Sequence, residues 1–136
     1  MAESLVHLHL VSRLVSYIQG EYQPIYELAI FHDLPNLLGA DKPPRIGGFI
    51  PDVYAVDIPT SIVILGEAKT EDDLETQHSR KQLTAFFQFL QVQSCGVLVL
   101  SVPWQAKARA KNLVGGLRKE LQCAKVQTAV ITGLVG

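Results

Sequence analysis

A short, unbroken apolar run at residues 95–102, Cys-Gly-Val-Leu-Val-Leu-Ser-Val, sets the fold class of this 136-residue chain. Such a run is typical of a β-strand that is buried on both faces, because a strand with one face in water alternates apolar and polar residues. Helical periodicity precedes the run over residues 77–92 and follows it over residues 105–122. A buried strand between two helices predicts an α/β fold.

The remaining segments continue this alternation. Apolar residues at three- and four-residue spacing predict a helix over 4–19, with Ser4 as its N-cap and Gly20 at its end. Gly115-Gly116 is expected to break or kink the helix over 105–122. Strands are predicted over four further segments, 24–31, 49–57, 61–69 and 125–132. The order is α-β-β-β-α-β-α-β, which predicts a single domain, residues 1–136, built on a mixed sheet of four or five strands.

Two carboxylates and an amine are predicted to meet on the central hairpin. If residues 58–61, Ile-Pro-Thr-Ser, form a four-residue turn, Asp52 lies directly opposite Glu67. Opposed residues of an antiparallel pair have Cβ atoms about 4.5–5.5 Å apart. Lys69 is two residues beyond Glu67 and therefore projects from the same face of its strand.

Such a pair of carboxylates points to a metal site. Two acids this close repel each other when partly desolvated, and one is pushed towards protonation unless a cation lies nearby. A few hard oxygen ligands that leave room for water and phosphate suit Mg²⁺. In the alternative interpretation, Asp52 forms a turn after Pro51 while Glu67 and Lys69 make a structural ion pair.

The sequence Pro51-Asp52, then fourteen residues, then Glu67-Ala68-Lys69 resembles the motif of the PD-(D/E)xK nuclease superfamily. This resemblance implies a restriction-endonuclease-like, three-layer α/β/α fold. It implies that Asp52, Glu67 and the backbone carbonyl of Ala68 bind Mg²⁺, for which Mn²⁺ would substitute. Lys69 would orient the attacking water and stabilise charge in the transition state. The implied activity is that of a metal-dependent deoxyribonuclease, which hydrolyses phosphodiester bonds by in-line attack of water.

Two further motifs of the superfamily are matched only in part. RecB-type members carry Gln-x-x-x-Tyr on the helix after the Glu-x-Lys strand; here Gln82 is followed by Phe86, so the resemblance carries over the glutamine alone. Many members place a glutamate on the first helix, where this chain has only Glu3 near the start and Glu21 beyond the predicted end. The alternative function is a nuclease-like module that binds nucleic acid or a protein partner without cutting.

Charge is distributed unevenly. Residues 1–100 carry six Lys or Arg against twelve Asp or Glu, whereas residues 101–136 carry six against one. An acidic centre and a basic end fit a metal site beside a surface that binds a polyanion. The basic residues predicted to contact DNA phosphates are Arg80, Lys81, Lys107, Arg109 and Lys111. Trp104 is expected either to pack at the end of its strand or to stack on a base.

The two cysteines, Cys95 and Cys123, lack the spacing of a zinc site or a disulfide framework. They predict reduced core thiols in a cytoplasmic protein. No apolar run reaches the roughly 18 residues that span a bilayer, so no membrane interaction is expected.

Two helices offer apolar faces, and the chain has four histidines. A homodimer through the helix over 4–19 or through residues 83–90 is a possible assembly. His7 and His9 are two residues apart on a helix and cannot share a face, so they are expected to pack rather than to bind metal as a pair. His78 lies where the next helix begins, within reach of a phosphate.

Overall fold

The computed structural model describes residues 4–35 and 41–132, and Glu3 lies outside them. In chain order the elements are α1 (Leu5–Tyr22), β1 (Leu28–His32), β2 (Val53–Asp57), β3 (Val63–Ala68), α2 (Glu71–Leu74), α3 (Gln77–Gln91), β4 (Gly96–Val102), a turn of 3-10 helix (Trp104–Ala106), α4 (Lys107–Glu120) and β5 (Gln127–Thr132). The α/β class is therefore confirmed. The short α2 and the 3-10 turn are additional to the predicted elements.

The five strands form one mixed sheet in the order β1-β2-β3-β4-β5. The pairs β1–β2 and β2–β3 are antiparallel, whereas β3–β4 and β4–β5 are parallel. Every residue of β3 and β4 is buried, which confirms the prediction of a strand covered on both faces. The parallel strands are connected by helices, as parallel neighbours require.

The β2–β3 hairpin has the predicted register. Val53 pairs with Gly66, so the next position outward places Asp52 beside Glu67. The turn is held by Asp57, whose carboxylate accepts hydrogen bonds from the Ser61 hydroxyl and from the Ile62 N–H. These hydrogen bonds lower the pKa of Asp57, the bond from Ser61 having the largest effect. The turn length that fixes the register is therefore stabilised by the side chain that precedes it.

Helices pack on both faces of the sheet. On one face, Leu14 and Ile18 of α1 lie against Ile64 and Val99. On the other face, α3 and α4 cover the sheet; their buried residues are Leu83, Phe86, Phe87, Leu90, Ala110, Val114 and Leu117. The apolar faces of α1 and of residues 83–90 are therefore used within the chain, and the homodimer expected through either face is not supported.

Several predicted boundaries were wrong. The first helix continues past Gly20 to Tyr22, because Gly20 does not adopt the positive φ of a glycine that ends a helix. Residues 24–27 do not join β1, and β2 begins at Val53 instead of residue 49. Helix α4 runs unbroken through Gly115-Gly116, because packing of its buried face outweighs the low helix propensity of glycine.

The structure also bears on the remaining expectations. The side chain of Ser4 accepts a hydrogen bond from the His7 N–H at 3.0 Å, which confirms it as the N-cap of α1. Both cysteines are free thiols; Cys123 is buried and Cys95 is partly buried. Within residues 4–35 and 41–132, no helix combines the length and hydropathy that a bilayer-spanning segment requires.

Candidate active site

Three ionisable side chains meet where β2 begins and β3 ends. Asp52 directly precedes β2, Glu67 is the last residue but one of β3, and Lys69 directly follows β3. Because these strands are antiparallel, the beginning of β2 and the end of β3 lie at the same edge of the sheet. Glu67 is only 4% exposed and Lys69 only 6%, whereas one fifth of the Asp52 side chain remains accessible. The cluster is thus buried at its base and open at Asp52.

Each carboxylate is anchored by the backbone of the opposite strand. The Asp52 N–H donates to Glu67 Oε1 at 3.1 Å, and the Ala68 N–H donates to Asp52 Oδ2 at 2.9 Å. These two bonds extend the pairing of β2 and β3 by one step beyond the regular ladder. The relative positions of the two acids are therefore fixed by the register of the hairpin.

Lys69 joins the acids to helix α3. Its Nζ lies 3.3 Å from Glu67 Oε2 and donates to Gln82 Oε1 at 2.5 Å. Gln82 is itself buried, on the face of α3 that covers the sheet. The structure therefore brings together all four side chains predicted for catalysis. It also shows the Glu67–Lys69 ion pair that the alternative interpretation requires.

The electrostatics of the cluster are unfavourable for Glu67. Burial, and after it the negative charge of Asp52, raise the pKa of its carboxyl from the ordinary 4.5 to about 8, against the lowering effect of Lys69. A bound cation would reverse this balance, because it favours the ionised form of both acids. The arrangement can therefore hold one negative charge easily and two only with an additional positive group.

His7 is a site residue that the sequence analysis missed. Its Nε2 lies 3.4 Å from Asp52 Oδ1, and one fifth of its side chain is exposed. The signal that could have found it is helical spacing: His7 is three residues before Leu10 and seven before Leu14, both buried against the sheet. By contrast, Glu21 lies about 21 Å further along α1 and cannot reach the cluster.

The basic residues predicted to bind DNA lie on the surface of α3 and α4, outside the buried cluster. Arg80 pairs with Glu120 at 3.3 Å. Arg109 pairs with Glu75 at 3.1 Å and with Glu71 at 3.2 Å. The three predicted lysines are exposed: Lys81, Lys107 and Lys111. Both arginines are therefore partly neutralised.

The structure also gives the positions of two other residues that the sequence singled out. Trp104 is 65% exposed, so it does not pack at the strand end as one interpretation held. The ring of His78 lies against Phe49, with ring centres 5.5 Å apart, at the start of α3.

The donor atoms available to a metal are few. In the part of the chain that the structure describes, no group of three or more His, Cys, Asp or Glu could hold a metal ion. The available hard donors are the carboxylates of Asp52 and Glu67 and the carbonyl of Ala68. Mg²⁺ commonly binds through one or two carboxylates and keeps several waters, so this donor set fits Mg²⁺ better than it fits a metal that needs a full protein cage.

Comparison with known proteins gives a fold and no family. No protein-family model matches the chain. No curated protein matches it in sequence. Among solved structures, the chain is similar to Pyrococcus furiosus SfsA, determined in complex with Ca²⁺, with a TM-score of 0.55 and 11% sequence identity. The match covers 90% of this chain and 56% of the SfsA chain, so this chain spans little more than half the length of SfsA. At this identity the similarity shows a shared fold alone.

Proposed function

We propose that this protein is a metal-dependent deoxyribonuclease with a restriction-endonuclease-like, three-layer α/β/α fold. The observation that carries the proposal is the pair of reciprocal hydrogen bonds that holds Asp52 and Glu67 side by side, with Lys69 in contact with Glu67. These are the positions at which the sequence resembles the PD-(D/E)xK motif. The fold shared with SfsA, a protein whose structure contains Ca²⁺, is further support.

Asp52, Glu67 and the carbonyl of Ala68 would hold the metal. When bound, Mg²⁺ would polarise the scissile phosphodiester and activate water for in-line attack. Its binding would also remove the repulsion that raises the pKa of Glu67. A buried acid beside a second, partly buried one is otherwise costly to maintain, even with a lysine in contact with the first.

The other side chains would position and stabilise. Lys69 presents an ammonium group to the developing charge on the phosphate, where a fixed positive group acts more strongly than it would in water. Gln82 holds that ammonium group through its Oε1. His7 would orient the carboxylate of Asp52, since its Nε2 lies 3.4 Å from Asp52 Oδ1.

The proposal is tested by cleavage of labelled linear, circular, flapped and four-way DNA with Mn²⁺. Lys69→Ala is expected to lower the rate by about 100-fold or more, the usual effect of removing one group that stabilises the transition state. Lys119→Ala, which removes an exposed lysine of α4, is the matched control and should cut at the wild-type rate. Cleavage that survives in Lys69→Ala, or that is equally lost in the control, would contradict the assignment.

One observation favours a second candidate, a nuclease-like module that binds without cutting. The trio is internally satisfied: Glu67 pairs with Lys69, and Asp52 accepts from the Ala68 N–H. The cleavage assay separates the two candidates, and calorimetric titration with Mn²⁺ tests the metal site itself. Binding that is lost in Asp52→Ala supports the metal site, whereas no heat of binding in the wild type leaves a structural ion pair.

A further inference from the structure

The sheet edge that carries the acidic cluster also carries exposed apolar side chains. Trp104, the single tryptophan of the chain, is 65% exposed, and Ile50, two residues before Asp52, is 49% exposed. Single exposed apolar residues are ordinary on a protein surface, so the position of these two beside the candidate site is what makes them informative. Trp104 is the more informative of the two, because an exposed indole offers a flat face on which another ring can stack.

Trp104 lies close to the cluster along this edge. The Lys69 N–H donates to the carbonyl of Ser101, so the ends of the parallel strands β3 and β4 are level. Trp104 follows the end of β4 by two residues. Since neighbouring strands are about 4.8 Å apart, the backbones at Lys69 and Trp104 are separated by on the order of 10 Å. That distance is comparable to one or two nucleotides of an extended strand.

Two exposed lysines of α4 lie next to Trp104 along the chain. Lys107 and Lys111 follow Trp104 at three- and seven-residue spacing, so the three side chains lie along one flank of the 3-10 turn and α4. Both lysines are exposed. Arg109 points elsewhere, towards α2, where its guanidinium contacts Glu71. The flank therefore combines one aromatic ring with two ammonium groups.

This combination fits a single strand better than a duplex. A duplex hides its bases and is held mainly through many phosphate contacts. Of the five basic residues predicted to contact DNA, both arginines are engaged by acids, Arg80 with Glu120 and Arg109 with Glu71 and Glu75, which leaves the three lysines for phosphates. A single strand also offers bases, and each base that stacks on an aromatic side chain strengthens binding without regard to sequence.

We propose that Trp104 stacks on an unpaired base of a DNA strand, while Lys107 and Lys111 contact the adjoining phosphates. The inference rests on the proposed function, because it names single-stranded DNA, or the unpaired end of a duplex, as the substrate delivered to Asp52, Glu67 and Lys69. The stacking contact itself does not require cleavage. It can therefore be measured without metal.

The test is a titration of the whole protein in EDTA with labelled oligothymidine and with a blunt hairpin duplex, followed by anisotropy and by the fluorescence of the one tryptophan. Oligothymidine should quench the tryptophan and bind more tightly than the hairpin. Trp104→Ala should weaken binding of oligothymidine by roughly tenfold to a hundredfold, and Trp104→Phe should retain most of it. Val92→Ala, an exposed apolar residue at the far end of α3, is the matched control and should change nothing.

The lysines have a separate readout. Lys107→Ala and Lys111→Ala should each lower the slope of log affinity against log salt concentration by about 0.7. Equal affinity for the hairpin and the single strand, or unchanged binding in Trp104→Ala, would overturn the inference. A change of oligomeric state in Trp104→Ala with unaltered DNA binding would also overturn it and would assign the tryptophan to a protein contact.

The two proposals fail in different ways. If cleavage depends on Lys69 but Trp104→Ala does not affect DNA binding, the nuclease proposal stands and the stacking proposal is refuted. If single-stranded DNA binds through Trp104 but no DNA is cleaved in Mn²⁺, the stacking proposal stands and the nuclease proposal is refuted.

Discussion

Replacing Glu67 by glutamine should remove a large part of the pH dependence of folding. In the wild type, burial raises the pKa of this carboxyl from 4.5 to about 8. The folded state therefore binds a proton that the unfolded state has already released between these two values. Stability from this group is fully present below pH 4.5 and is lost as the pH rises towards about 8. Glutamine keeps the shape of the protonated acid and cannot ionise.

The size of the effect follows from the same pKa values. A difference of one in pKa corresponds to about 1.4 kcal/mol. Because the pKa of Glu67 is 4.5 in the unfolded chain and about 8 in the folded one, the free energy of unfolding falls by up to about 5 kcal/mol between these two pH values. The slope is no more than about 1.4 kcal/mol per pH unit. Because Glu67 is almost wholly buried, little of this is screened by water.

Urea unfolding in EDTA at several pH values across that interval measures the effect. The comparison is between wild type, Glu67→Gln and Glu27→Gln, the last of which removes an exposed carboxyl outside the cluster. Wild type and Glu27→Gln should lose stability in parallel as the pH rises, whereas Glu67→Gln should follow a flatter line. Three parallel lines, or a wild type whose stability rises through the interval, would refute the account of a desolvated acid beside Asp52.

Three further predictions concern other parts of the fold. Gly96→Ala should destabilise the protein by about 3 kcal/mol in urea unfolding, because the new Cβ would lie 2.5 Å from a backbone oxygen at the end of α3. Gly115→Ala, on α4 with open space for a Cβ, should stabilise the protein by up to about 1 kcal/mol. Equal effects of the two substitutions would contradict the predicted clash at Gly96. Ser101→Ala should leave stability unchanged or raise it by about 1 kcal/mol in the same measurement, because the buried Oγ has no hydrogen-bond partner among the residues that the structure describes; a large loss of stability would reveal one. Asp52→Asn should abolish the Mn²⁺ binding proposed for the wild type, measured by calorimetry, because it removes one of the two carboxylates. The circular dichroism spectrum should be preserved, because the amide oxygen can still accept the backbone hydrogen bond; retained Mn²⁺ binding would count against the metal site.

The sequence predicts the centre of the fold well for a physical reason. The strand at β4 is recognisable because both of its faces are buried, so every position must be apolar or small. The hairpin register depends on a turn of four residues, which Pro59 and its neighbours make evident. The proximity of Asp52 to Glu67 follows from that register alone, since no longer-range contact is needed to produce it.

What the sequence could not predict depends on contacts between distant segments. Helix α1 continues past Gly20 because a glycine ends a helix through a positive φ, which Gly20 does not adopt. The contact of His7 with Asp52 joins residues that are 45 positions apart; helical spacing places His7 towards the sheet but does not identify Asp52 as its partner. The ion pairs that engage Arg109 depend on how α2 and α4 meet, so a count of basic residues overstates the free positive charge.

The reciprocal hydrogen bonds at the end of the hairpin couple the positions of the metal-binding oxygens to the pairing of β2 and β3. The Asp52 and Ala68 amides donate to the same two carboxylates that would bind a cation. Opening of these two hydrogen bonds would move the carboxylate oxygens apart, and binding of a cation would stabilise the closed pair. Slow hydrogen exchange at these two amides would then report the loading of the site before any product is formed.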